Sequence, residues 1–280
     1  MNAREAAALR AVLEPLARRA GDHLLAAFEC LPEADVRHKG AVDLVTRLDV
    51  EAQEIVLAGL AREFPGERAV AEEDDAVGDA ATGVVWLVDP LDGTTNFVHG
   101  QPPFAVSIAR ACDGVMETGV VYAPYLRELF WAARGHGAFL GERRLAVSRR
   151  TELDSALLAT GFPYDIRSNP RNNLREFAHL AVRCRGVRRG GAASLDLSYV
   201  AAGRLDGYWE FRLKPWDLAA GVLLVEEAGG RVTDPEGGAG WLASGDLIAT
   251  NGALQEPLRE ALGAAAAGRE PGTGRPGMVI

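Results

Sequence analysis

Cysteine is scarce in this 280-residue chain, which carries only Cys30, Cys112 and Cys184. An odd, widely spaced set of three supports neither a disulfide framework nor a zinc cluster. No stretch reaches the roughly 20 consecutive apolar residues of a membrane span. Arg4, Glu5 and Arg10 interrupt any signal-peptide core at the start. These absences lead to the expectation of a cytoplasmic protein with reduced thiols. Basic charge is also short: 30 Lys and Arg face 39 Asp and Glu, a net charge of −9. A surface of that sign repels a phosphate backbone, so nucleic acid is not the expected partner. Internal repeats and clear linkers are missing too. The expectation is one domain over residues 1–267 and a flexible tail over 268–280, where four Gly and two Pro fall among thirteen residues. What remains is ordinary globular material, 48% hydrophobic and 25% charged, which excludes wholesale disorder.

Periodicity supplies the elements. Leu9, Val12, Leu13, Leu16, Ala20, Leu24 and Phe28 recur at threes and fours, predicting a helix that Pro32 stops. A second helix is predicted over 49–64, with Val50, Ile55, Val56 and Leu60 inward and Pro65-Gly66 as terminator. The apolar run 84–88 reads as a strand covered on both faces. Runs at 104–111, 115–122, 129–133 and 139–147 predict a meander, hence an antiparallel or mixed sheet. Beyond it, helices are predicted at 169–185, 193–202, 217–228 and 254–266, and strands at 187–189, 205–211 and 247–250. Layers of helices and strands without strict alternation point to an α+β sandwich.

The most informative segment follows the 84–88 run: Asp89-Pro90-Leu91-Asp92-Gly93-Thr94-Thr95-Asn96-Phe97. Pro90 forces a turn, so two carboxylates converge at a strand end. Gly93 permits unusual backbone angles, and Thr94-Thr95-Asn96 reads as a helix start whose free amides suit an anion. Carboxylates for cations beside amides for phosphate make a plausible metal-assisted phosphoryl-transfer site. Taken alone, Asp-Pro-Leu-Asp-Gly also reads as a capped turn. A second segment, Trp216-Asp217-Leu218-Ala219-Ala220-Gly221, places Asp217 at a helix N-terminus, and its small residues imply an unusually close neighbour. Taken alone, Asp217 is a helix-cap or first-turn acid. Ala71-Glu72-Glu73-Asp74-Asp75 reads as a solvated loop unless a short strand at Val70-Ala71 carries Glu72 inward. Asp43 and Asp49 bound a further polar stretch, with Asp49 a default helix cap.

The two aspartate motifs in this order, with the upstream Glu72-Glu73 pair, resemble the inositol monophosphatase family of lithium-sensitive, magnesium-dependent phosphomonoesterases. The resemblance runs from Lys39 through Gly191-Ala192-Ala193 and Tyr208-Trp209-Glu210 to the Trp216 motif. It implies a five-layer αβαβα sandwich, usually a homodimer, acting on a small phosphomonoester. By that likeness Glu72, Asp89 and the Leu91 carbonyl are ligands of a first Mg²⁺, and Asp89, Asp92 and Asp217 of a second. A third, weaker Mg²⁺ lies near Glu72. Asp49, Thr94 and Glu72 position and deprotonate the attacking water. Gly93 and Thr94 amides cradle the phosphate, with Glu72, Leu91, Asp92 and Asp217 around it. Gly191, Ala192, Ala193 and Glu210 face the alcohol. The implied substrate is myo-inositol 1-phosphate or a related polyol phosphate. Fructose 1,6-bisphosphate, histidinol phosphate, and a regulatory RNA- or protein-binding role through the basic stretch 183–189 are the alternatives. Ala71 stands where the family commonly has Gly. Residues 161–164 depart from the substrate-side serine segment of animal enzymes and resemble bacterial members.

Overall fold

The computed structural model describes residues 1–28, 36–38, 44–74 and 82–268. Pro32, Lys39, Asp43, Asp75, Cys30 and residues 269–280 lie outside that set. Helix α1 (Ala3–Ala27) begins at a reciprocal cap, in which Asn2 accepts Arg4 and Glu5 amides while Glu5 accepts the Asn2 amide. Its inward face is the periodic one read from the sequence, with Leu13, Leu16, Ala20 and Leu24 buried. The short antiparallel strands β1 (Val36–His38) and β2 (Leu44–Thr46) lead into α2 (Arg47–Glu63). Val50, expected inward, is 43% exposed, whereas Leu48, Ala52, Val56 and Leu60 are buried. Val56 and Leu60 keep the expected face and Ile55 is partly buried, so only Val50 departs from it; the helix begins two residues earlier than expected, at a Thr46–Asp49 capping box.

Seven strands follow: β3 (Arg68–Ala71), β4 (Val84–Asp92), β5 (Ala105–Cys112), β6 (Val115–Ala123), β7 (Glu128–Ala133), β8 (Gly137–Leu140) and β9 (Arg143–Arg144), with the short helix α3 (Thr94–Val98) after β4. They pair in chain order, β3 parallel to β4 and the rest antiparallel, giving the mixed sheet that was predicted. The single strand expected over 139–147 is instead a β8–β9 hairpin and an irregular run, because Gly141 takes φ +57° and turns the chain.

The second half gives β10 (Leu157–Thr160), α4 (Leu174–Ala181), β11 (Gly186–Arg188), α5 (Ala193–Ala201), β12 (Gly207–Glu210), α6 (Pro215–Glu227), β13 (Arg231–Thr233), α7 (Trp241–Ser244), β14 (Leu247–Thr250) and α8 (Gln255–Ala266). Its five-stranded sheet runs β11-β10-β12-β14-β13. The helix expected over 169–185 shrinks to α4, since Pro170 interrupts its start and Asn173 sits at φ +68°. Strands β10 and β13 were not anticipated.

Three apolar cores separate the layers. One lies between α1, α2 and the outer face of the seven-stranded sheet. The second fills the space between the two sheets around α5 and α6. The third packs α4 and α8 on the far face of the five-stranded sheet. The result is an αβαβα α+β sandwich. The small face of α6 explains its central place: a β-carbon on Gly119 of β6 would lie 2.8 Å from the Ala220 α-carbon, and one on Gly221 2.6 Å from Leu197 of α5. Among the described residues no helix is long and apolar enough to cross a membrane.

Candidate active site

Strand β4 is buried from Val85 to Asp92, so it delivers its carboxylates into low dielectric. Asp89 pairs with Ser107 and Asp92 with Ala105, with a register shift between them. The strand does not end at Asp89 as expected: it runs on through Pro90, which cannot donate to the ladder, and in place of a turn this register shift leaves both acids lining one cleft. Asp89 accepts the Leu91 amide at 3.0 Å. Gly93 then takes φ +99°, a left-handed conformation that glycine adopts without strain, and a β-carbon there would lie 3.2 Å from the Pro103 carbonyl. Helix α3 starts on Gly93, and no side chain caps its first amides. Asn96 of α3 donates to the Pro103 and Gly190 carbonyls at 2.7 and 2.9 Å, fastening the loop to the second half of the chain.

Parallel pairing of β3 with β4 answers the question left open at Glu72. The Glu72 amide donates to the Val88 carbonyl at 3.1 Å, and the side chain lines the cleft beside Asp89. Asp217 arrives on the first turn of α6, behind Pro215, where its carboxylate accepts the Lys214 amide at 2.7 Å. Asp92 accepts the Ala193 and Ser194 amides at 3.0 and 2.8 Å, together with the Ser194 hydroxyl, at the start of α5. Thus β3, β4, α5 and α6 each bring one part of an acidic wall.

Thr94 and Asp49 form a second cluster. The Thr94 hydroxyl lies 3.2 Å from Asp49 Oδ1 and 3.1 Å from the Leu91 carbonyl, so its single proton has two acceptors. Asp49 is the third residue of α2 and also accepts the Thr46 amide at 2.9 Å. It does not line the cleft but stands behind Thr94. The opposite end holds Glu210, at the end of β12, which accepts the Tyr208 hydroxyl. Gly191, Ala192 and Ala193 line the cleft between the two ends.

Sequence reasoning missed two contributors and reached a third only through the family resemblance. Asp196 on α5 is buried and lines the cleft, as does Arg189, which was read as part of a basic surface stretch. Residues 161–164 form one wall. A lone acid within the apolar run of α5 was the available signal for Asp196.

Burial dominates the electrostatics. It pushes Asp49 up to about 6, against its bond from Thr46. It pushes Asp92 up to about 6, against the bonds from Ser194 and Ala193. Burial, then Glu72, raise both Asp89 and Asp217 well above the carboxylate range. Glu210 rises to about 7 by burial, with the Tyr208 bond opposing. Asp196 is raised by burial and then by Glu210. Such a cluster is short of positive charge, and its donors are all oxygens, which suits a hard cation such as Mg²⁺ and not a thiophilic metal. Among the described residues no three acids already stand as a finished ion cage. Asp92 and Asp217 currently spend oxygens on backbone amides. Asp92 Oδ2 takes two bonds, from the Ser194 amide and hydroxyl, while Asp92 Oδ1 and Asp217 Oδ2 each take one and keep a second lone pair, so the donor set fits the cation.

Fold and site define a layered α+β protein with an oxygen-donor cleft between its two sheets. The chain belongs to the inositol monophosphatase family, whose model matches residues 5–267. It is 45% identical over 235 residues to the putative Nus factor SuhB of Neisseria meningitidis serogroup B, covering 84% of this chain and 90% of that one. It is 43% identical over 255 residues to the inositol-1-monophosphatase of Mesorhizobium japonicum, covering 91% and 96%. The solved extragenic suppressor protein suhB of Bartonella henselae superposes with a TM-score of 0.85 at 41% identity, covering 91% of this chain and 98% of that one.

Proposed function

We propose that this protein is a Mg²⁺-dependent phosphomonoesterase that hydrolyses myo-inositol 1-phosphate, or a related polyol phosphate, to alcohol and inorganic phosphate. The observation that carries the reading is the Asp49–Thr94 hydrogen bond set beside a cleft in which Glu72, Asp89, Asp92 and Asp217 meet. Glu72, Asp89 and the Leu91 carbonyl would hold one ion, and Asp89, Asp92 and Asp217 a second, and the family resemblance implies a third, weaker one near Glu72. When bound, the ions supply Lewis acidity and neutralise charge on the phosphoryl oxygens. The chain's own groups do the rest. Thr94 orients the attacking water and takes its proton while passing its own hydroxyl proton to Asp49, Glu72 helps to position that water, and the Gly93 and Thr94 amides hold phosphoryl oxygens. Gly191, Ala192, Ala193 and Glu210 face the alcohol. Nothing in this arrangement calls for a covalent phosphoenzyme.

Phosphate release from a panel of phosphomonoesters, with Mg²⁺ and with EDTA, tests the reading. Metal-dependent release, fastest on an inositol or polyol phosphate, is expected. Preference for fructose 1,6-bisphosphate or histidinol phosphate would keep the chemistry and change the substrate. The family resemblance also supports a homodimer, which sedimentation velocity tests.

A second reading is a regulatory role in binding RNA or protein. The relatives named Nus factor SuhB favour it, as does the exposed basic edge at Arg185 and Arg188 around β11. It does not compete with hydrolysis for the same residues. A protein without metal-dependent phosphate release that shifts an RNA in a binding assay would put this reading first.

A further inference from the structure

A closed ring of hydrogen bonds lies behind the wall of the cleft. Thr160, the last residue of β10, donates its hydroxyl to the Trp209 carbonyl at 2.6 Å. Trp209 donates its indole N–H to Asn173 Oδ1 at 2.7 Å. Asn173 returns its amide to Thr160 Oγ1 at 2.7 Å and to the Gly161 carbonyl at 2.6 Å. All three side chains are at least 99% buried. Asn173 does this from φ +68°, a conformation uncommon outside glycine, at the head of α4. A buried polar ring with every partner satisfied is a rigid object, because breaking any one bond strands a donor or acceptor away from water.

What the ring holds is Gly161. Its carbonyl is pinned by Asn173. Strands β10 and β12 run parallel with Thr160 opposite Trp209, so the next residue on each strand brings Gly161 against Glu210. The approach is close enough that a β-carbon on Gly161 would fall inside contact distance of both Glu210 carboxylate oxygens. On its other side Glu210 is held by the Tyr208 hydroxyl. The carboxylate is therefore seated between a bare α-carbon and a phenol, and its seat is fixed by groups that do not themselves carry charge.

We infer that Gly161 and the Thr160–Asn173–Trp209 ring are positioning residues that set the selectivity of the cleft for polyhydroxylated alcohols. They do so by seating Glu210 as a hydrogen-bond acceptor at the alcohol end. The inference rests on the phosphomonoesterase reading and deepens it. An ester whose alcohol carries hydroxyl donors gains from a correctly placed acceptor. An aryl phosphate such as p-nitrophenyl phosphate has the same reacting bond and no donor to offer. A site built around a hydroxyl discriminates strongly against a substrate that lacks it.

The test is Gly161→Ala. The atoms it meets are the far end of a flexible side chain, so the fold yields by moving Glu210 and the protein stays folded. The readout is the ratio of kcat/KM for myo-inositol 1-phosphate to that for p-nitrophenyl phosphate, which a general loss of stability leaves in place. The ratio is expected to fall by about fivefold or more in Gly161→Ala, and in Asn173→Gly, which keeps the left-handed backbone but opens the ring. In a Glu210→Ala background Gly161→Ala is expected to change the ratio no further, because the group it displaces is already gone. A smaller fall in the single Gly161→Ala variant, or an equal fall in the Glu210→Ala background, overturns the inference. If the wild-type protein cleaves neither ester, the phosphatase reading falls on its own. The same ratio, taken from equilibrium dissociation constants, then decides: a fall of that size supports the seat, and a wild-type value in Gly161→Ala overturns it.

Discussion

At the scale of single residues, Asp92 carries two duties. As a carboxylate it would hold a cation, and it also receives two amides and a hydroxyl from the start of α5. Asp92→Asn turns an NH₂ group toward donors, which costs about 1–3 kcal/mol of stability in addition to the lost ligand. The expected outcome is a folded protein with a lower melting temperature and almost no phosphate release at saturating Mg²⁺. Activity within about tenfold of wild type would sink the ligand assignment. Thr94 gives a cleaner case. Gly93, not Thr94, is the N-cap of α3, so the hydroxyl is not there to cap a helix. Thr94→Ala is expected to lower kcat far more than it weakens the apparent affinity for Mg²⁺, and Thr94→Ser to restore most of the loss. A normal kcat with only a lower melting temperature would make Thr94 a packing residue. Asp89 and Asp92 were legible in the sequence because they adjoin Pro90 and Gly93 at a strand end, and Asp217 because it opens a helix two residues after Pro215, whereas Glu72 stayed open between a solvated loop and an inward strand. Asp49 was legible only as a cap. Its contact with Thr94 spans 45 positions and leaves no local pattern. Gly161 was named only as part of the segment 161–164, since what singles it out is Glu210 on the neighbouring strand, and Asp196 was passed over although a lone acid in an apolar run marked it.

At the scale of elements, α6 is the part whose position matters most, because it brings Asp217 to the cleft. It sits on Gly119 of β6 and against Leu197 of α5 with no space for a methyl group. Gly221→Val overpacks that contact, at a cost of about 1–3 kcal/mol, and pushes the helix start away from β4. The expected result is a lower denaturation midpoint together with a weaker apparent affinity for Mg²⁺ in activity titrations. A destabilised variant whose Mg²⁺ titration is unchanged would show that α6 tilts without moving Asp217. The small face of α6 was readable as a close contact, but what it touched was not. Strands with β-branched, bounded runs were also readable. Strand β10 was not, since its apolar residues Leu157, Leu158 and Ala159 include no β-branched one, unlike the equally short β14 with Ile248, and such a run does not separate strand from buried helix.

At the scale of the whole molecule, the buried acids make stability depend on pH. Asp49 and Asp92 stand at about 6 against an ordinary 3.8, and Glu210 at about 7 against 4.5. In that interval the folded chain retains protons that the unfolded chain has released. Stability of the metal-free protein therefore falls as pH rises from about 4 through 7. A cation that binds only the folded form opposes this, and competes with protons for the same carboxylates. Melting curves in EDTA should shift to lower temperature between about pH 5 and 7.5, and the rise produced by Mg²⁺ should be larger at the higher pH. An equal Mg²⁺ effect at both pH values would remove the acids of the cleft from the account. Lithium offers a separate check. If Asp89, Asp92 and Asp217 hold a cation, they would also accept Li⁺, which is close to Mg²⁺ in size but carries half the charge. Inhibition uncompetitive with substrate and relieved by excess Mg²⁺ is expected, against NaCl controls of matched ionic strength. Equal effects of Li⁺ and Na⁺ would place the cavity's size or ligands in error.

The seven-stranded sheet and α6 supply Asp89, Asp92 and Asp217 at one end of the cleft, while the five-stranded sheet supplies Glu210 and, through β10, the wall beside it. The two contributions come from different layers with separate cores outside the shared one. Under the phosphomonoesterase reading, a lineage could therefore exchange the diet of such an enzyme by drift in β10, β12 and the chain between β10 and α4. The acids that β3, β4 and α6 bring to the cleft would not need to be rebuilt.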